Sequence, residues 1–211
     1  MDTNIVLLSL QLVLPAFNDF AQKAQLDVPL PLELSHATKT NVGRNNRGVL
    51  MVFDDRYQFN WSSSTGSWGK VSFTDRKLFS SSFDREKMLP WLVRQKSLIG
   101  TNEAILITSN CLHRLGYDHR EWASTAFVTQ YTFSPDPKMP HQPIPIFSVR
   151  WFPPNPPMGY EWALFSFEIS GLEKRITYFG HGVIDDDQRK ISTFNLLSYT
   201  NSSATHQPFL K

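Results

Sequence analysis

One amphipathic helix, predicted over residues 101–117, constrains the fold of this chain more than any other feature. Thr101 is predicted as its N-cap, and Glu103 places a negative charge in the first turn, where it suits the helix dipole. Gly116 is predicted to end the helix in the left-handed conformation. Because a helix with one apolar face must bury it, we expect this helix to pack on the β-rich segment 127–179. The apolar face consists of Ala104, Ile105, Ile107, Cys111, Leu112 and Leu115.

The segment that follows this helix predicts an antiparallel sheet. Apolar and polar residues alternate along it, which is the pattern of strands with one buried face, and prolines interrupt it between the alternating runs. The apolar run Trp162–Phe165 predicts a central strand that is covered on both faces. A turn at Ser170–Glu173 predicts a closing hairpin. The strands are predicted over residues 127–133, 146–152, 160–169 and 175–179.

The N-terminal apolar run is predicted to be a structural helix. Pro15 is expected to kink or interrupt this helix unless a new one begins there. A secretory signal segment is the alternative, but Asp2 occupies the position where such a segment carries positive charge. The run is too short to span a bilayer, so no transmembrane segment is expected. The predicted buried side of the helix consists of Val6, Leu10, Val13, Phe17 and Phe20.

A small antiparallel meander and a second helix are predicted between these two parts. Residues 40–48 are polar and rich in turn-forming types, which predicts a loop. A helix is predicted over residues 85–99, begun or broken at Pro90 and followed at once by the helix that starts at Thr101. The meander strands are predicted over residues 49–53, 57–61 and 68–73.

These elements predict an α+β fold of antiparallel β-meanders packed against a few helices. The expected organisation has three parts. Residues 1–99 form an N-terminal helix, the small meander and the connecting helix, and residues 100–184 form a helix-plus-four-strand module. Residues 185–211 form a polar tail.

The composition narrows the classes of function. The 211 residues carry a net charge of +2, and the basic residues are scattered along the chain, so nucleic-acid binding is not expected. The single cysteine, Cys111, excludes an intramolecular disulfide and a cysteine-rich zinc site. No cofactor-binding fingerprint occurs, and no cofactor is predicted. Composition leaves the compartment and the oligomeric state open.

The order of motifs after residue 100 resembles a PepSY-like module, in which a helix packs across an antiparallel meander of cystatin-like appearance. Asn102–Ala104, Leu115–Tyr117, Ile144–Trp151 and Phe167–Ile176 carry the likeness, although Ser170-Gly171 stands where that family often has an acidic turn. The whole chain also resembles a group of uncharacterised bacterial proteins. The resemblance implies inhibition or regulation of a protein partner, often outside the cytoplasm, and it covers roughly residues 100 to 180.

Several polar groupings in the sequence are candidate sites of chemistry. Cys111 and His113 are two apart on a helix and do not face each other, so packing is the favoured role of Cys111. Asp54-Asp55 lies between two strands, where adjacent aspartates are ordinary turn residues. A metal is not predicted. Its weak candidate ligands are His181, Asp185 and Asp187, and a second cluster comprises His113, Asp118, His119 and Glu121.

The tryptophans give the remaining functional signal, because the chain has six of them. Exposed aromatic side chains in a groove are typical of binding sites for peptides and proteins, although core packing is the competing interpretation. The function predicted is a non-catalytic binding or regulatory protein with a protein or peptide partner. The alternative is a hydrolase with a cleft that contains His and Asp. The candidate binding residues are Trp61, Trp68, Trp151 and Trp162.

Overall fold

The architecture of the chain is given by a computed structural model. It describes residues 3–43, 48–62, 70–78, 88–89, 97–117, 125–133, 144–152, 163–181, 183–185 and 190–192. These residues form an α+β fold, as predicted, with two helices packed on a large antiparallel sheet. The helices are α1 (Thr3–Ala24) and α2 (Thr101–Arg114).

Nine strands of the described chain form one antiparallel sheet in the order β1-β2-β3-β4-β9-β8-β7-β6-β5. A separate hairpin pairs the two remaining strands. The sheet strands are β1 (Ala37–Val42), β2 (Gly48–Phe53), β3 (Tyr57–Ser62), β4 (Lys70–Asp75), β5 (Met88–Leu89), β6 (Thr125–Phe133), β7 (Ile144–Phe152), β8 (Phe165–Ser170) and β9 (Ile176–His181). The hairpin consists of β10 (Val183–Asp185) and β11 (Lys190–Ser192).

The sheet is assembled from two meanders that meet at its centre. Strand β4 pairs antiparallel with β9, with Phe73 opposite Phe179 and Thr74 opposite Tyr178. We call this β4–β9 pairing the seam. The sheet therefore crosses the boundary predicted between residues 99 and 100, and one hydrophobic core contains side chains from both sides of it. The division into separate domains stays a prediction.

Helix α1 forms where the N-terminal apolar run was predicted to be helical. Leu10, Val13, Phe17 and Phe20 are buried against the sheet, at the spacing that places them on one helix face. Pro15 lies inside the helix without interrupting it. Pro15 and Gln11 are both exposed, so the carbonyl that loses its helical partner faces the solvent side of the helix.

The N-cap of helix α2 lies one residue earlier than predicted. Gly100 is the N-cap, without a side-chain cap, and Thr101 is the first helical residue. The end is as predicted: Gly116 has a φ of +84°, its amide donates to the His113 carbonyl, and the Tyr117 amide donates to the Leu112 carbonyl. This double hydrogen bond is a Schellman motif, which needs a left-handed residue where glycine is least strained.

The helices cover one face of the sheet and leave the other without a helix in the described chain. On the covered face, aromatic rings from both meanders join: Phe17 lies 5.3 Å from Phe59, and Phe20 lies 5.3 Å from Phe179. Phe167 also contacts Phe179, at 4.9 Å between ring centroids. Burial of these large rings joins α1 to strands on both sides of the seam.

Three predictions of local structure are wrong in the described residues. Residues 40–42 belong to strand β1 rather than to a loop, because the turn-rich segment begins only at Gly43. Met88–Leu89 is a short strand that pairs with Thr132 and Phe133, so the predicted helix 85–99 does not include it. Residues 97–99 are also not helical. The strand predicted over residues 160–169 begins only at Phe165, because residues 163–164 are not extended into β8. Residues 90–96 of the predicted helix, residues 160–162 and the tail beyond residue 192 lie outside the described residues.

Candidate functional site

The described tryptophans occupy two different environments. Trp151 is 6% exposed, and its Nε1 donates a 3.0 Å hydrogen bond to the Thr108 hydroxyl, so it joins β7 to α2. Trp61 is half-buried at the end of β3, where it packs against the edge of the core. Trp68 and Trp162 lie outside the described residues. Of the four candidate binding residues, Trp61 is therefore the one whose observed position offers a surface to a partner.

Trp61 stands beside a shallow depression of about 200 Å³ at one end of the sheet. Three strands contribute to this depression, so it opens across the hairpin of β1 and β2 rather than between the helices. Its remaining lining residues are Asn41, Gly43, Gly48, Val49, Leu50 and Asn60. The depression presents an indole ring, two aliphatic residues and two amide side chains at the protein surface.

Strand β1 borders this depression and is the edge strand at one end of the sheet. The pairing with β2 places Asn41 opposite Leu50 and Val42 opposite Val49. The side chains of β1 are exposed between Thr38 and Asn41, and the strand has a register irregularity between Ala37 and Lys39. An edge strand presents backbone groups that lack a ladder partner, so β1 is a second feature of the same site.

The weak candidate metal ligands named from the sequence do not form a site within the described residues. His181 ends β9 and Asp185 ends β10, while Asp187 lies outside the described chain. The described residues contain no group of three His, Cys, Asp or Glu side chains that could hold a metal ion. From the second predicted cluster, His113 is exposed on α2, and Asp118, His119 and Glu121 lie outside the described residues.

Cys111 lies in the core, which matches the role favoured from the sequence. Its side chain is fully buried, and burial raises the pKa of the thiol to about 12, although Arg114 opposes the shift. A thiol with this pKa is almost fully protonated at neutral pH and is therefore a poor nucleophile. His113 is exposed on the other side of the helix.

Asp54 and Asp55 are turn residues, as the pattern predicted. Both have a positive φ, 51° and 54°, and the Arg56 amide donates to the Phe53 carbonyl. A type I′ hairpin turn requires positive φ at both central residues, and aspartate tolerates that conformation better than most side chains. The two carboxylates are exposed in the turn between β2 and β3.

A polar cluster that the sequence did not reveal lies on the helix-free face of the sheet. Glu168 in β8 is flanked across the ladder by Ser148 in β7 and Tyr178 in β9. Glu168 Oε2 is buried and has no hydrogen-bond partner in the described part of the chain. Burial raises the pKa of this carboxyl to about 7, although a hydrogen bond from Tyr131 and the charge of Arg150 oppose the shift.

Tyr178 completes this cluster from the neighbouring strand. Its ring lies over Gly180, where an added side chain would collide with the phenol, so the glycine makes room for the ring. Burial, with a contribution from Glu168, raises the pKa of Tyr178 to about 12. The alternation of Phe165, Phe167 and Ile169 in the sequence indicates that Glu168 lies on the opposite face of β8. The residues beside Glu168 belong to other strands, and only the strand register identifies them.

Comparison with known proteins does not assign the chain to a family. No protein-family model, curated protein or solved structure matches it. Neither of the two described helices combines the length and the hydropathy that crossing a membrane requires.

Proposed function

We propose that this protein is a non-catalytic binding or regulatory protein whose partner is a protein or peptide segment. The observation that carries the proposal is the half-buried Trp61 beside a depression open to solvent at the outer end of the β1–β3 meander. Tryptophan is enriched among the residues that dominate binding energy, because it buries a large rigid surface at a low entropic cost. The resemblance to PepSY-like modules supports the same class of function.

The test uses peptides selected on the purified protein from a random linear display library. Selected peptides are titrated against the wild type and Trp61→Ala, and we expect the dissociation constant to rise at least about tenfold, the effect of losing a central aromatic contact. Leu12→Ala is the matched control, because Leu12 is 71% exposed on α1 and lies outside the depression. Failure to select any peptide, or an equal loss in both variants, contradicts the proposal.

A hydrolase remains the second candidate function, and the Glu168 cluster is the observation that favours it. A buried carboxyl whose pKa is raised to about 7 is suited to general acid–base catalysis at neutral pH. The test is a panel of chromogenic ester, glycoside and phosphoester substrates. Hydrolysis that the wild type catalyses and Glu168→Gln does not would support this candidate; absence of hydrolysis across the panel would count against it.

A further inference from the structure

One carboxyl oxygen of Glu168 has neither solvent nor a hydrogen-bond partner in the described arrangement. Oε2 is shielded from solvent and accepts no hydrogen bond from a described residue. The titratable and charged side chains that face the carboxyl from the described strands are Tyr131 in β6, Arg150 in β7 and Tyr178 in β9. Ser148, directly opposite on β7, is uncharged. Because an ionised carboxylate without water or a partner is costly, this arrangement suits the protonated form of Glu168.

The groups around Glu168 reduce this cost without removing it. Tyr131 forms a hydrogen bond with the carboxyl, and Arg150 contributes a positive charge, so both favour the ionised form. Burial nevertheless outweighs both of them and raises the pKa of the carboxyl from 4.5 to about 7. The carboxyl is therefore held in its protonated form up to near neutral pH, and ionisation there calls for a change that brings water to Oε2.

Tyr178 differs from the other two neighbours in what it offers the carboxyl. It lies directly opposite Glu168 across the β8–β9 ladder. Burial, with the charge of Glu168, raises the pKa of its phenol to about 12, so the ring stays uncharged at neutral pH. It does not favour the ionised carboxyl as Tyr131 and Arg150 do. Displacement of this ring would therefore admit water with the smallest loss of stabilising contacts to the carboxylate.

The Tyr178 ring can be displaced without breaking the sheet. The ring lies over Gly180, and only the absence of a side chain there makes room for it. The ladder beside it is held by other groups, because Tyr178 pairs through its backbone with Thr74 across the seam, and the Thr177 hydroxyl donates to the Glu168 carbonyl at 3.2 Å. The side chain is thus the part of this strand whose position is independent of the ladder.

We propose that Glu168 and Tyr178 form a proton-sensitive gate on the helix-free face of the second half of the sheet. With Glu168 protonated, the Tyr178 ring lies over Gly180 and the gate is closed, which is the arrangement described above. When Glu168 releases its proton to solvent, the ring moves away and water reaches Oε2. The gate is independent of the proposed function, because it involves neither Trp61 nor a partner.

The experiment measures how exposed the Tyr178 ring is as the pH changes. The full chain is labelled with ¹³C-tyrosine, and the relaxation of the ring protons is recorded with a soluble paramagnetic probe from pH 5 to pH 8. The Tyr178 signal is assigned by its absence from Tyr178→Phe. Because the carboxyl would titrate at about 7 in the closed state and near 4.5 in the open state, the equilibrium constant for opening should rise at least about tenfold across this range.

Two variants separate the gate from a general response to pH. Glu168→Gln keeps the shape of the side chain and cannot ionise, so exposure of Tyr178 should become independent of pH. Glu103→Gln is the matched control, because Glu103 is an exposed carboxyl paired with Lys174, and the rise should persist there. A rise that persists in Glu168→Gln would overturn the gate. An equal rise at the buried Tyr57 of the first half would also overturn it, since the whole sheet would then be loosening.

A measurement on the wild type alone decides the matter if Glu168→Gln does not fold. The ¹³C shift of the Glu168 carboxyl is followed in the same pH series. The gate predicts that the carboxyl and the Tyr178 ring change along one common pH curve. A carboxyl that ionises while the ring stays shielded would overturn the gate, and so would a carboxyl that stays protonated at pH 8.

Discussion

The two halves of the sheet have the same order of elements, but they expose different surfaces. In each half a helix precedes four antiparallel strands: α1 precedes β1–β4, and α2 precedes β6–β9. The first half ends at the exposed strand β1, whereas the outer strand of the second half, β6, is paired with the short strand β5. The second half instead carries the buried Glu168 on its helix-free face. Two similar scaffolds therefore present different surfaces, an edge strand in the first half and a polar face in the second.

The halves also differ in how they hold a buried carboxylate. Asp75, at the seam, is 1% exposed and accepts hydrogen bonds from Arg56 Nε and Nη2, the latter at 2.7 Å. Arg175 Nη2 from the other half lies 3.3 Å from the same carboxylate. Asp75 thus has arginine partners from both halves, whereas the Glu168 carboxyl takes a hydrogen bond from Tyr131 and leaves Oε2 without a hydrogen-bond partner among the described residues. Loss of the Asp75 carboxylate would leave both arginines without this partner, whereas burial of the Glu168 carboxyl disfavours its ionisation.

The largest effect is expected from Asp75→Ala. This variant leaves Arg56 and Arg175 without their shared carboxylate, and we expect the free energy of unfolding to fall by about 3–5 kcal/mol. Urea denaturation followed by tryptophan fluorescence measures the change. Asp27→Ala is the control, because Asp27 pairs with Arg175 at 2.6 Å but is largely exposed, so its loss should cost less than about 1 kcal/mol. Equal losses for both variants would show that the seam does not depend on the buried carboxylate.

A smaller, pH-dependent effect is expected at Glu168. The pKa of this carboxyl is raised from 4.5 to about 7 in the folded protein, so the folded state binds more protons than the unfolded state between these values. The stability of the wild type relative to Glu168→Gln should therefore fall as the pH rises from about 4.5 to about 7, by at most about 3 kcal/mol. Denaturation across this pH range measures the difference.

The control for this effect is Tyr178→Phe. It keeps the ring over Gly180 and leaves Glu168 in place, so the pH dependence between 4.5 and 7 should persist in this variant. A pH dependence that is the same in the wild type and Glu168→Gln would mean that Glu168 titrates normally. The contrast between the two buried carboxylates would then be lost.

A further loss of stability is expected from Asn18, which attaches α1 to the segment that follows it. Asn18 in α1 donates to the Leu32 carbonyl at 3.1 Å and accepts from the Leu32 amide at 2.7 Å, which fixes the segment after the helix. Asn18→Ala removes both bonds and should cost about 1–3 kcal/mol, measured by thermal or urea unfolding. Gln22→Ala, an exposed change on the same helix, should be close to neutral. An unchanged stability in Asn18→Ala would contradict this role.

The smallest effect is expected at the surface of the second half. Lys174 pairs with Glu103 of α2 at 3.2 Å, and both side chains are more than 40% exposed. Lys174→Ala should change the free energy of unfolding by no more than about 1 kcal/mol, and the difference should shrink in high salt. A larger, salt-insensitive loss would mean that the hairpin after β8 contributes more to the attachment of α2 than this contact indicates.

The fold was predictable from the sequence where burial of one face makes apolar residues recur at a regular spacing. Strands β3 and β7 alternate apolar with polar side chains, and β2 is a short apolar run. The predicted limits of β2, β3, β7 and β9 lie within two residues of the observed ones. Strand β1 was missed because its exposed threonines, lysine and asparagine carry no such period. Met88–Leu89 was missed because two residues become a strand only through pairing with β6, which local sequence does not encode.

The candidate site was only partly predictable, because it depends on contacts between distant strands. Trp61 was identified from residue type, but its difference from Trp151 comes from where each strand lies relative to the helices. The position of β1 at the edge of the sheet, beside Trp61, became visible only with the strand order. The environment of Glu168 likewise depends on Tyr131 and Tyr178, which are 37 and 10 residues away from it in the sequence.

Native-state hydrogen exchange tests most directly whether the two halves form one cooperative sheet through the β4–β9 seam. The measurement compares amides of β2–β4 with those of β7–β9 in increasing denaturant. The account predicts that the slowest amides of both halves exchange with the same free energy and the same denaturant dependence, because they unfold together. Two distinct free energies, with the amides of Phe73, Thr74, Tyr178 and Phe179 following the weaker half, would contradict it.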